Sequence, residues 1–393
     1  MEPMHLLADV NLPELDTLVA AVNDQCPGTI SLERFTGRQP DAEQLSRAEV
    51  MFIRSVTQVN QELLAQAPEL QWLGSATIGT DHVDQAALAK AGVTFHSTPG
   101  VNANAVGDYV ASAVAALALA NNGLPAGDVA IIGAGNTGRA AGQRLSGLGL
   151  SVHYYDPPLC AAGQPLVEVH DDWQRVLNSS VISCHVPLQR QGAYATYHLL
   201  AENELAQLQP GTLLINASRG AVVAEQALLA RLSAGADLQV VLDVWEHEPQ
   251  ISAQLLPLVK LATPHIAGHS LAGKLAGSWQ LMKKWLTDQQ LGLQLPTLTE
   301  LLQRYPQGQP QRLQAEDPPR WQDLAQWILR CYDIRNDDRV LRAAPCNAKT
   351  FDALRANYAV RSELNQLHLD TGQWANTAAW RQQLAQLTFQ TTN

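Results

Sequence analysis

The sequence feature that most restricts the fold is a glycine-rich turn between an apolar run and an amphipathic stretch. The run Val129–Ile132 leads directly into Gly133-Ala134-Gly135-Asn136-Thr137-Gly138, and the amphipathic stretch continues to Leu148. In such a G-x-G-x-x-G turn, the first glycine makes the bend, the second admits a pyrophosphate and the third lets helix and strand pack closely. The spacing predicts a strand–turn–helix unit that holds a dinucleotide at the helix N-terminus. The predicted cofactor residues in the turn are Gly133, Gly135, Asn136, Thr137 and Gly138.

An acidic residue follows this turn at the spacing that dinucleotide binding requires. Asp156 comes directly after the next apolar run, Val152–Tyr155. An acid about 20 residues after the turn accepts hydrogen bonds from the ribose hydroxyls. Its charge would repel a 2′-phosphate, and no arginine follows it before Arg175. The sequence therefore predicts NAD, rather than NADP, as the cofactor.

Short apolar runs alternate with helical stretches along most of the chain, and this alternation predicts an α/β fold. Predicted strands cover residues 5–10, 50–55, 71–78 and 93–97, and then residues 129–132, 152–155, 181–183, 213–216, 240–243 and 259–262. The second set is continuously apolar, which favours a parallel sheet covered on both faces. Thr98-Pro99-Gly100 marks a boundary between the two sets, and residues 105–119 predict a buried apolar helix.

Three of the predicted strands end beside polar side chains. Residues 213–216 lead to Ser218 and Arg219, residues 240–243 lead to Glu246, His247 and Glu248, and residues 259–262 lead to Thr263 and His265. Ligands bind at the carboxyl ends of parallel strands, so an arginine, a glutamate and a histidine can converge there. Such a set suits oxidation of a hydroxy acid, with a carboxylate held by arginine and a proton taken by histidine. Taken singly, Arg219 is equally compatible with a structural salt bridge, and His265 with a helix cap.

Composition narrows the classes of function. A chain of 393 residues predicts two or three domains, and 26 Lys and Arg against 37 Asp and Glu disfavour nucleic acid as a partner. Five cysteines without a C-x-x-C pair favour a reducing cytoplasm, and neither export nor a membrane anchor is expected. His265 and His269 are four residues apart, but Pro264 and Gly268 interrupt helix geometry, so no metal site is expected.

Beyond these motifs, the sequence resembles the D-2-hydroxyacid dehydrogenase family over nearly its whole length. The resemblance rests on the glycine-rich turn, Ile215-Asn216-Ala217-Ser218-Arg219-Gly220, Asp243-Val244-Trp245-Glu246-His247-Glu248-Pro249 and Thr263-Pro264-His265. A narrower resemblance, to a branch with a C-terminal extension, rests on Arg54-Ser55-Val56-Thr57-Gln58-Val59-Asn60, Gly79-Thr80-Asp81-His82-Val83-Asp84, Pro99-Gly100-Val101-Asn102-Ala103, Asp156-Pro157-Pro158, Tyr332-Asp333-Ile334-Arg335-Asn336-Asp337-Asp338 and Phe351-Asp352-Ala353-Leu354-Arg355.

The resemblance implies three domains. These are a discontinuous flavodoxin-like substrate domain at residues 1–102 and 266–290, a Rossmann-type NAD domain at residues 103–265, and a C-terminal α/β dimerisation domain at residues 291–393. The Pro- and Gln-rich residues 296–319 are expected to form a linker at the start of the last domain. The protein is accordingly expected to be a homodimer.

The resemblance also implies roles for individual residues. Arg219 would bind the substrate carboxylate and oxo group, Glu248 would pair with His265, and His265 would exchange the proton. Ser55 and Thr77 would bind substrate. The further cofactor residues would be Asp156, Val186, Ala217, Ser218, Arg219, Asp243 and Gly268. Two positions depart from the family pattern: His269 stands where tyrosine is usual, and Ser218 where many relatives have cysteine.

A phosphorylated hydroxy acid is the substrate class that this reading favours. Arg54 and Ser55 end a predicted strand, and His269 lies at the start of a predicted helix, whose N–H groups favour anions. Two alternatives remain open at this point. One is another NAD-linked hydroxyacid dehydrogenase of the glyoxylate or hydroxypyruvate reductase type, and the other is an NAD-sensing co-repressor or scaffold of the same fold.

Overall fold

The computed structural model describes residues 3–163 and 166–392, and its contacts divide the chain into two compact units. The first unit comprises residues 1–102 and 271–309, and the second comprises residues 103–270 and 310–393. The contacts thus change unit at residues 102, 270 and 309, and they group residues 310–393 with residues 103–270. The three domains implied by the resemblance, at residues 1–102 with 266–290, 103–265 and 291–393, stay a prediction.

The first unit is built on a five-stranded parallel sheet. In spatial order its strands are Ile30–Phe35, Met4–Asp9, Val50–Ile53, Trp72–Ser75 and Thr94–Ser97. This order, 2-1-3-4-5 along the chain, is the flavodoxin-like arrangement. Its helices are Leu15–Gln25, Ala42–Arg47, Gln61–Gln66, Gln85–Ala91, Leu271–Asp288 and Leu298–Leu302, with a 3₁₀ turn at Pro306–Gly308. The sequence analysis missed the strand Ile30–Phe35, because its Ser31, Glu33 and Arg34 interrupt the apolar pattern.

The second unit contains a seven-stranded parallel sheet. In spatial order its strands are Leu261–Ala262, Gln239–Leu242, Leu213–Asn216, Val181–Cys184, Val129–Ile132, Val152–Tyr155 and Val169–His170. The order reverses beside Val129–Ile132, so the glycine-rich turn leaves the sheet at its topological switch point, where doubly wound folds bind ligands. The helices of this part are Ala103–Ala120, Asn136–Gly147, Pro157–Ala162, Trp173–Leu177, Glu202–Gln207 and Glu225–Ser233, with a 3₁₀ turn at Gly220–Val222.

The C-terminal segment of the second unit, residues 310–393, has its own small parallel sheet. The strands are Gln311–Ala315, Leu367–Thr371 and Gln390–Thr392, and the helices are Trp321–Cys331, Ile334–Ala343, Ala348–Ala356 and Ala378–Gln386, with 3₁₀ turns at Leu364–Gln366 and Gln373–Asn376. Part of the expected linker is therefore regular structure, because Leu298–Leu302 is a helix and Gln311–Ala315 is a strand.

One hydrophobic core joins the C-terminal segment to the rest of the second unit. Apolar residues of the helix Ala103–Ala120 belong to the same buried cluster as Leu324, Ile328, Leu369 and Leu387. A buried ion pair between Arg144 Nε and Asp108 Oδ1 (2.8 Å) lies alongside, and Arg144 also donates to the carbonyl of Gln386. This shared core is the physical reason why the contacts show no separate third unit.

The helix Ala103–Ala120 is long and apolar enough to cross a membrane by length and composition. However, 72% of its apolar window is buried inside the protein, as in the core helix of a soluble domain. Its apolar surface is therefore already accounted for by packing.

Candidate active site

The glycine-rich turn has the geometry that a pyrophosphate requires. Gly133 has φ +95°, and a Cβ there would lie 2.8 Å from the His185 carbonyl oxygen, while a Cβ at Gly138 would lie 1.8 Å from the Gly133 oxygen. Gly135 is the N-cap of the helix Asn136–Gly147, and a Cβ there would meet nothing within 4 Å. The first and third glycines are thus required for packing. The second borders open space at a helix N-terminus, which fits NAD.

Asp156 is tied to this turn by hydrogen bonds. Its Oδ2 accepts from the Ala134 N–H at 2.8 Å, and its Oδ1 accepts from the Leu159 N–H at 3.1 Å as the N-cap of the helix Pro157–Ala162. Each carboxylate oxygen retains a second lone pair for a ribose hydroxyl. Val186 also lies beside the turn, with its side chain 2.9 Å from the position of a Cβ on Gly133. Both residues therefore border the turn, as a cofactor role would need.

The side chain of Asn216 shapes the segment that carries Ala217, Ser218 and Arg219. Its Oδ1 accepts from the Ser218 N–H and hydroxyl at 3.2 and 2.9 Å, and its Nδ2 donates to the Arg219 carbonyl at 2.9 Å. The Arg219 guanidinium donates to the Ser218 carbonyl at 2.9 Å. Gly220 is also required, because a Cβ there would lie 2.0 Å from the Trp245 carbonyl carbon. This segment therefore packs against the one that carries Glu248.

His265 and Glu248 form the acid–imidazole pair that the resemblance implies. His265 Nδ1 lies 2.5 Å from Glu248 Oε1, and Glu248 Oε2 accepts from the Trp245 N–H at 3.2 Å. Their side chains are 30% and 24% exposed, so the pair is reachable by a ligand. Burial raises the pKa of Glu248, but the charge and hydrogen bond of His265, the charge of Arg355 and the Trp245 N–H together lower it below its usual value. Glu248 is thereby kept as a carboxylate facing the imidazole.

The second glutamate of this segment has a different partner. Glu246 Oε1 lies 2.6 Å from His198 Nε2, and its Oε2 accepts from the Glu225 N–H at 2.9 Å. The sequence analysis did not identify His198, since it lies 48 positions away along the chain. The structure thus distinguishes the two glutamates, with Glu246 bound to His198 and Glu248 bound to His265.

Asp243 is buried and holds the loop that carries His265. Its Oδ1 accepts from the Thr263 hydroxyl and the Ile266 N–H, both at 2.7 Å, and its Oδ2 accepts from the Ala267 N–H at 3.0 Å. The backbone N–H of His265 donates to the Asp243 carbonyl at 2.7 Å. The bonds within the protein show that Asp243 shapes the loop, and the cofactor role that the resemblance implies for it stays a prediction.

His269 lies in the same loop, and its ring is beside an aromatic residue of the C-terminal segment. Its backbone N–H donates to the Ile266 carbonyl at 2.8 Å, and its ring centroid lies 5.9 Å from that of Tyr358. Gly268 lies immediately before it, two residues after Ile266. The loop therefore has neighbours both from the NAD-binding sheet and from the C-terminal segment.

The remaining sequence-predicted substrate residues, Arg54, Ser55 and Thr77, belong to the first unit. They follow the adjacent parallel strands Val50–Ile53 and Trp72–Ser75. Arg54 Nε donates to the buried Asp9 carboxylate at 2.9 Å, and the Thr77 hydroxyl donates to the Gly79 carbonyl at 2.9 Å. Ser55 is exposed. The three residues thus share one end of the flavodoxin-like sheet.

Lys274 is a cation in the first unit that the sequence analysis missed. It lies in the first turn of the helix Leu271–Asp288, and a Cβ on Gly277 of that helix would be only 3.1 Å from the Ala76 Cβ, so the helix passes close to the end of the strand Trp72–Ser75. Burial and the neighbouring charge of Arg54 lower the pKa of Lys274. Arg54 is itself paired with the Asp9 carboxylate, so one carboxylate faces the two cations of this region. In the sequence, the only indication of this cation was a single lysine nine residues after His265.

Among the described residues, no group of three or more His, Cys, Asp and Glu side chains is arranged to hold a metal ion. The five cysteines are free thiols.

Comparisons with known proteins identify the relatives of this chain. Residues 107–267 match the NAD-binding domain of the D-isomer specific 2-hydroxyacid dehydrogenases, and residues 305–387 match a domain of unknown function (DUF3410). An erythronate-4-phosphate dehydrogenase of Idiomarina loihiensis is 44% identical over 91% of this chain and 91% of the relative. One of Aeromonas hydrophila is 40% identical over 96% of this chain and 98% of the relative.

Solved structures support the same fold. The 3-phosphoglycerate dehydrogenase of Entamoeba histolytica with bound NAD⁺ aligns with a TM-score of 0.61 at 16% identity, over 75% of this chain and 99% of that one. A glyoxylate reductase of Paecilomyes thermophila aligns with a TM-score of 0.59 at 22% identity, over 76% of this chain and 98% of that one. About a quarter of this chain therefore has no counterpart in either structure. Because the sequence relatives match along nearly the full length, the chain belongs to the erythronate-4-phosphate dehydrogenase family, within the D-isomer specific 2-hydroxyacid dehydrogenases.

Proposed function

We propose that this chain oxidises 4-phospho-D-erythronate to 3-hydroxy-2-oxo-4-phosphobutanoate with NAD, in the biosynthesis of pyridoxal 5′-phosphate (vitamin B6). The observation that carries the proposal is the contact between His265 and Glu248 beside the NAD-binding sheet, in a chain whose relatives bear this enzyme name over nearly their full length. The two alternative functions, another hydroxyacid dehydrogenase or an NAD-binding scaffold, would use the same sheet. Neither of them is the function named for these full-length relatives.

The orientation of His265 decides which nitrogen takes the proton. Its Nδ1 faces the Glu248 carboxylate at 2.5 Å, so Nδ1 carries the hydrogen and Nε2 is the free base. Nε2 would remove the proton of the C2 hydroxyl, and NAD, when bound by the residues named below, would supply the acceptor for the C2 hydride. The C2–H and O–H bonds break, a C=O bond forms, and the Glu248 carboxylate stabilises the resulting imidazolium.

Arg219 is proposed to hold the substrate carboxylate and the developing oxo group. Its guanidinium offers donors in a fork that matches a carboxylate. One of them is engaged with the Ser218 carbonyl, which fixes the direction of the group. Asp156, Val186, Asp243 and residues 217–219 are proposed to hold NAD, together with Gly268 and the glycine-rich turn.

The phosphate is proposed to bind at the cations of the first unit. Arg54 and Lys274 are close enough for the charge of one to lower the pKa of the other, and a phosphate dianion would relieve that repulsion. Ser55 and Thr77 are proposed as hydroxyl contacts to the substrate, and His269 as an imidazole contact in place of the usual tyrosine. A homodimer formed through the C-terminal segment, and a cytoplasmic location, complete the proposal.

Turnover by the purified protein tests this function directly. We expect NADH formation from 4-phospho-D-erythronate, with kcat/KM far above that for D-erythronate and D-glycerate. Similar values for phosphorylated and unphosphorylated acids would support a general hydroxyacid dehydrogenase instead. NAD binding without turnover of any of these acids would support the scaffold.

A further inference from the structure

The segment that matches the domain of unknown function binds the loop that carries His265. We name residues 263–270 the histidine loop. Arg361 Nη2 donates to the Ala267 carbonyl in this loop at 2.6 Å and to the Ala105 carbonyl at 2.9 Å. Ser270, the last residue of the loop, forms a parallel β-bridge with Arg361, and its hydroxyl donates to Glu363 Oε1 at 2.6 Å. The C-terminal segment thus contacts the loop through both backbone and side chains.

The peptide groups of Ala267 are held from two directions. Asp243 accepts from the Ala267 N–H on the side of the NAD-binding sheet, and Arg361 donates to the Ala267 carbonyl on the side of the C-terminal segment. His265, two residues earlier, has φ +56°, a left-handed conformation that costs free energy for a residue with a side chain. Such a conformation persists only when its surroundings impose it, and the two contacts hold the backbone of the same loop two residues further along.

Arg361 is itself fixed in place. It is buried, and its guanidinium carbon lies 3.8 Å from the centroid of the Tyr332 ring. The hydroxyls of Tyr332 and Tyr358 both donate to Asp337 Oδ2, at 2.8 and 2.9 Å, so the surrounding side chains form a bonded shell. Because the surrounding side chains hold Arg361 in one position, Arg361 can fix the position of the loop that it binds.

We propose that Arg361 is a positioning residue for proton transfer, holding the histidine loop so that His265 meets the substrate in reactive geometry. The C-terminal segment then contributes to catalysis as well as to stability. Arg355 of the same segment adds a positive charge that acts on Glu248. This inference rests on the proposed function, because it takes His265 as the base.

A matched pair of variants separates positioning from general stability. Arg342 also belongs to the C-terminal segment and also donates to backbone carbonyls of the second unit, those of Leu256 and Val259 at 2.7 and 2.9 Å, but none of these lies in the histidine loop. We would compare Arg361→Met with Arg342→Met in the full chain. The measurements are the single-turnover rate of NADH formation per NAD-binding site, KM for both substrates, and Tm.

We expect Arg361→Met to lower the single-turnover rate about 10- to 100-fold, since misplacement of a catalytic group by about 1 Å has effects of that size. NAD binding should persist. Arg342→Met should lower Tm while its rate per site stays within twofold of wild type. Equal rates per site in the two variants would overturn the inference. Absence of turnover in the wild type would instead contradict the proposed function.

Two milder substitutions keep the test decisive if Arg361→Met does not fold. Arg361→Lys retains the charge, and Ser270→Ala removes one hydrogen bond of a neutral side chain. We expect single-turnover rates about two- to tenfold below wild type, because a neutral hydrogen bond contributes about 0.5–1.5 kcal/mol. Unchanged rates per site in both variants would overturn the inference.

Discussion

Asp156 offers the sharpest test of how this chain selects its cofactor, because the carboxylate has two separable roles. It caps the helix Pro157–Ala162 and bonds the glycine-rich turn through Ala134, and it is proposed to bind the ribose hydroxyls of NAD. Asp156→Asn preserves an oxygen acceptor but removes the charge, whereas Asp156→Ala removes both. The two variants therefore separate charge from hydrogen bonding.

The size of each effect follows from the bonds of this carboxylate. Loss of an N-cap costs about 0.5–2 kcal/mol of stability, which Asp156→Ala should show and Asp156→Asn should largely avoid. A hydrogen bond to a charged group contributes about 1.5–3 kcal/mol, so Asp156→Ala should raise KM for NAD about 10- to 100-fold. Two unit charges about 4 Å apart repel by about 1 kcal/mol in water and about 4 kcal/mol near a protein surface. Asp156→Asn should therefore shrink the preference for NAD over NADP by about fivefold or more.

The assay is kcat/KM with NAD and with NADP, together with Tm, for wild type, both Asp156 variants and Asp84→Ala. Asp84 is the matched control, because its Oδ1 caps the helix Gln85–Ala91 through the Ala87 N–H at 2.9 Å in the first unit. Asp84→Ala should lower Tm through the loss of a helix cap, without any change in the preference for NAD over NADP. If Asp156→Asn leaves the ratio of the two kcat/KM values within twofold of wild type, the reasoning about charge is refuted.

Three further predictions concern the proton, the phosphate and the dependence of stability on pH. His265→Ala should lose most of kcat while still binding NAD, and wild-type turnover in this variant would exclude His265 as the base. Glu248→Gln should move the acid limb of the kcat/KM profile to lower pH, because the variant lacks the carboxylate that favours the protonated imidazole. Lys274→Met should lower kcat/KM for 4-phospho-D-erythronate about 10- to 100-fold and leave D-erythronate nearly unaffected, whereas Lys284→Met on the same helix, which removes an ion pair with Asp288, should change neither; an equal loss for both acids would argue against a phosphate site. Burial and the charge of Asp108 raise the pKa of Glu363 to about 7, so between pH 4.5 and 7 the folded chain keeps a proton that the unfolded chain releases, and stability falls as pH rises through that window. Tm of Glu363→Gln should depend less on pH there than Tm of wild type, and identical slopes would contradict the assignment.

The cofactor half of the site could be predicted from the sequence because it is local. The strand Val129–Ile132, the turn that follows and Asp156 lie within 28 positions of one another, and each requirement falls on a specific residue type. The strands Val129–Ile132, Val152–Tyr155 and Leu213–Asn216 have the predicted bounds. Continuous burial on both faces of a parallel sheet leaves an apolar pattern that does not depend on distant partners.

The contacts of the residues proposed for catalysis could not be predicted from the sequence in the same way. Glu246 and Glu248 are two positions apart, yet one binds His198 and the other binds His265, and only the path of the backbone decides between them. Lys274 was missed because a lysine near a helix start is usually a solvated surface group, and here the helix passes close to Ala76.

By itself the sequence determined the α/β class, the NAD-binding turn and its acid, and the three strand ends that bear Arg219, Glu248 and His265. Only the tertiary structure decided how residues 310–393 relate to that sheet. Their apolar side chains complete the core around the helix Ala103–Ala120, and Arg361 reaches the Ala267 carbonyl 94 positions away. The conformation of a dinucleotide-binding turn depends on short-range steric requirements. Each requirement is met by a glycine, which can be read directly from the sequence. A buried arginine that bonds a distant carbonyl leaves no such local pattern, because its partner is a backbone group that every residue possesses.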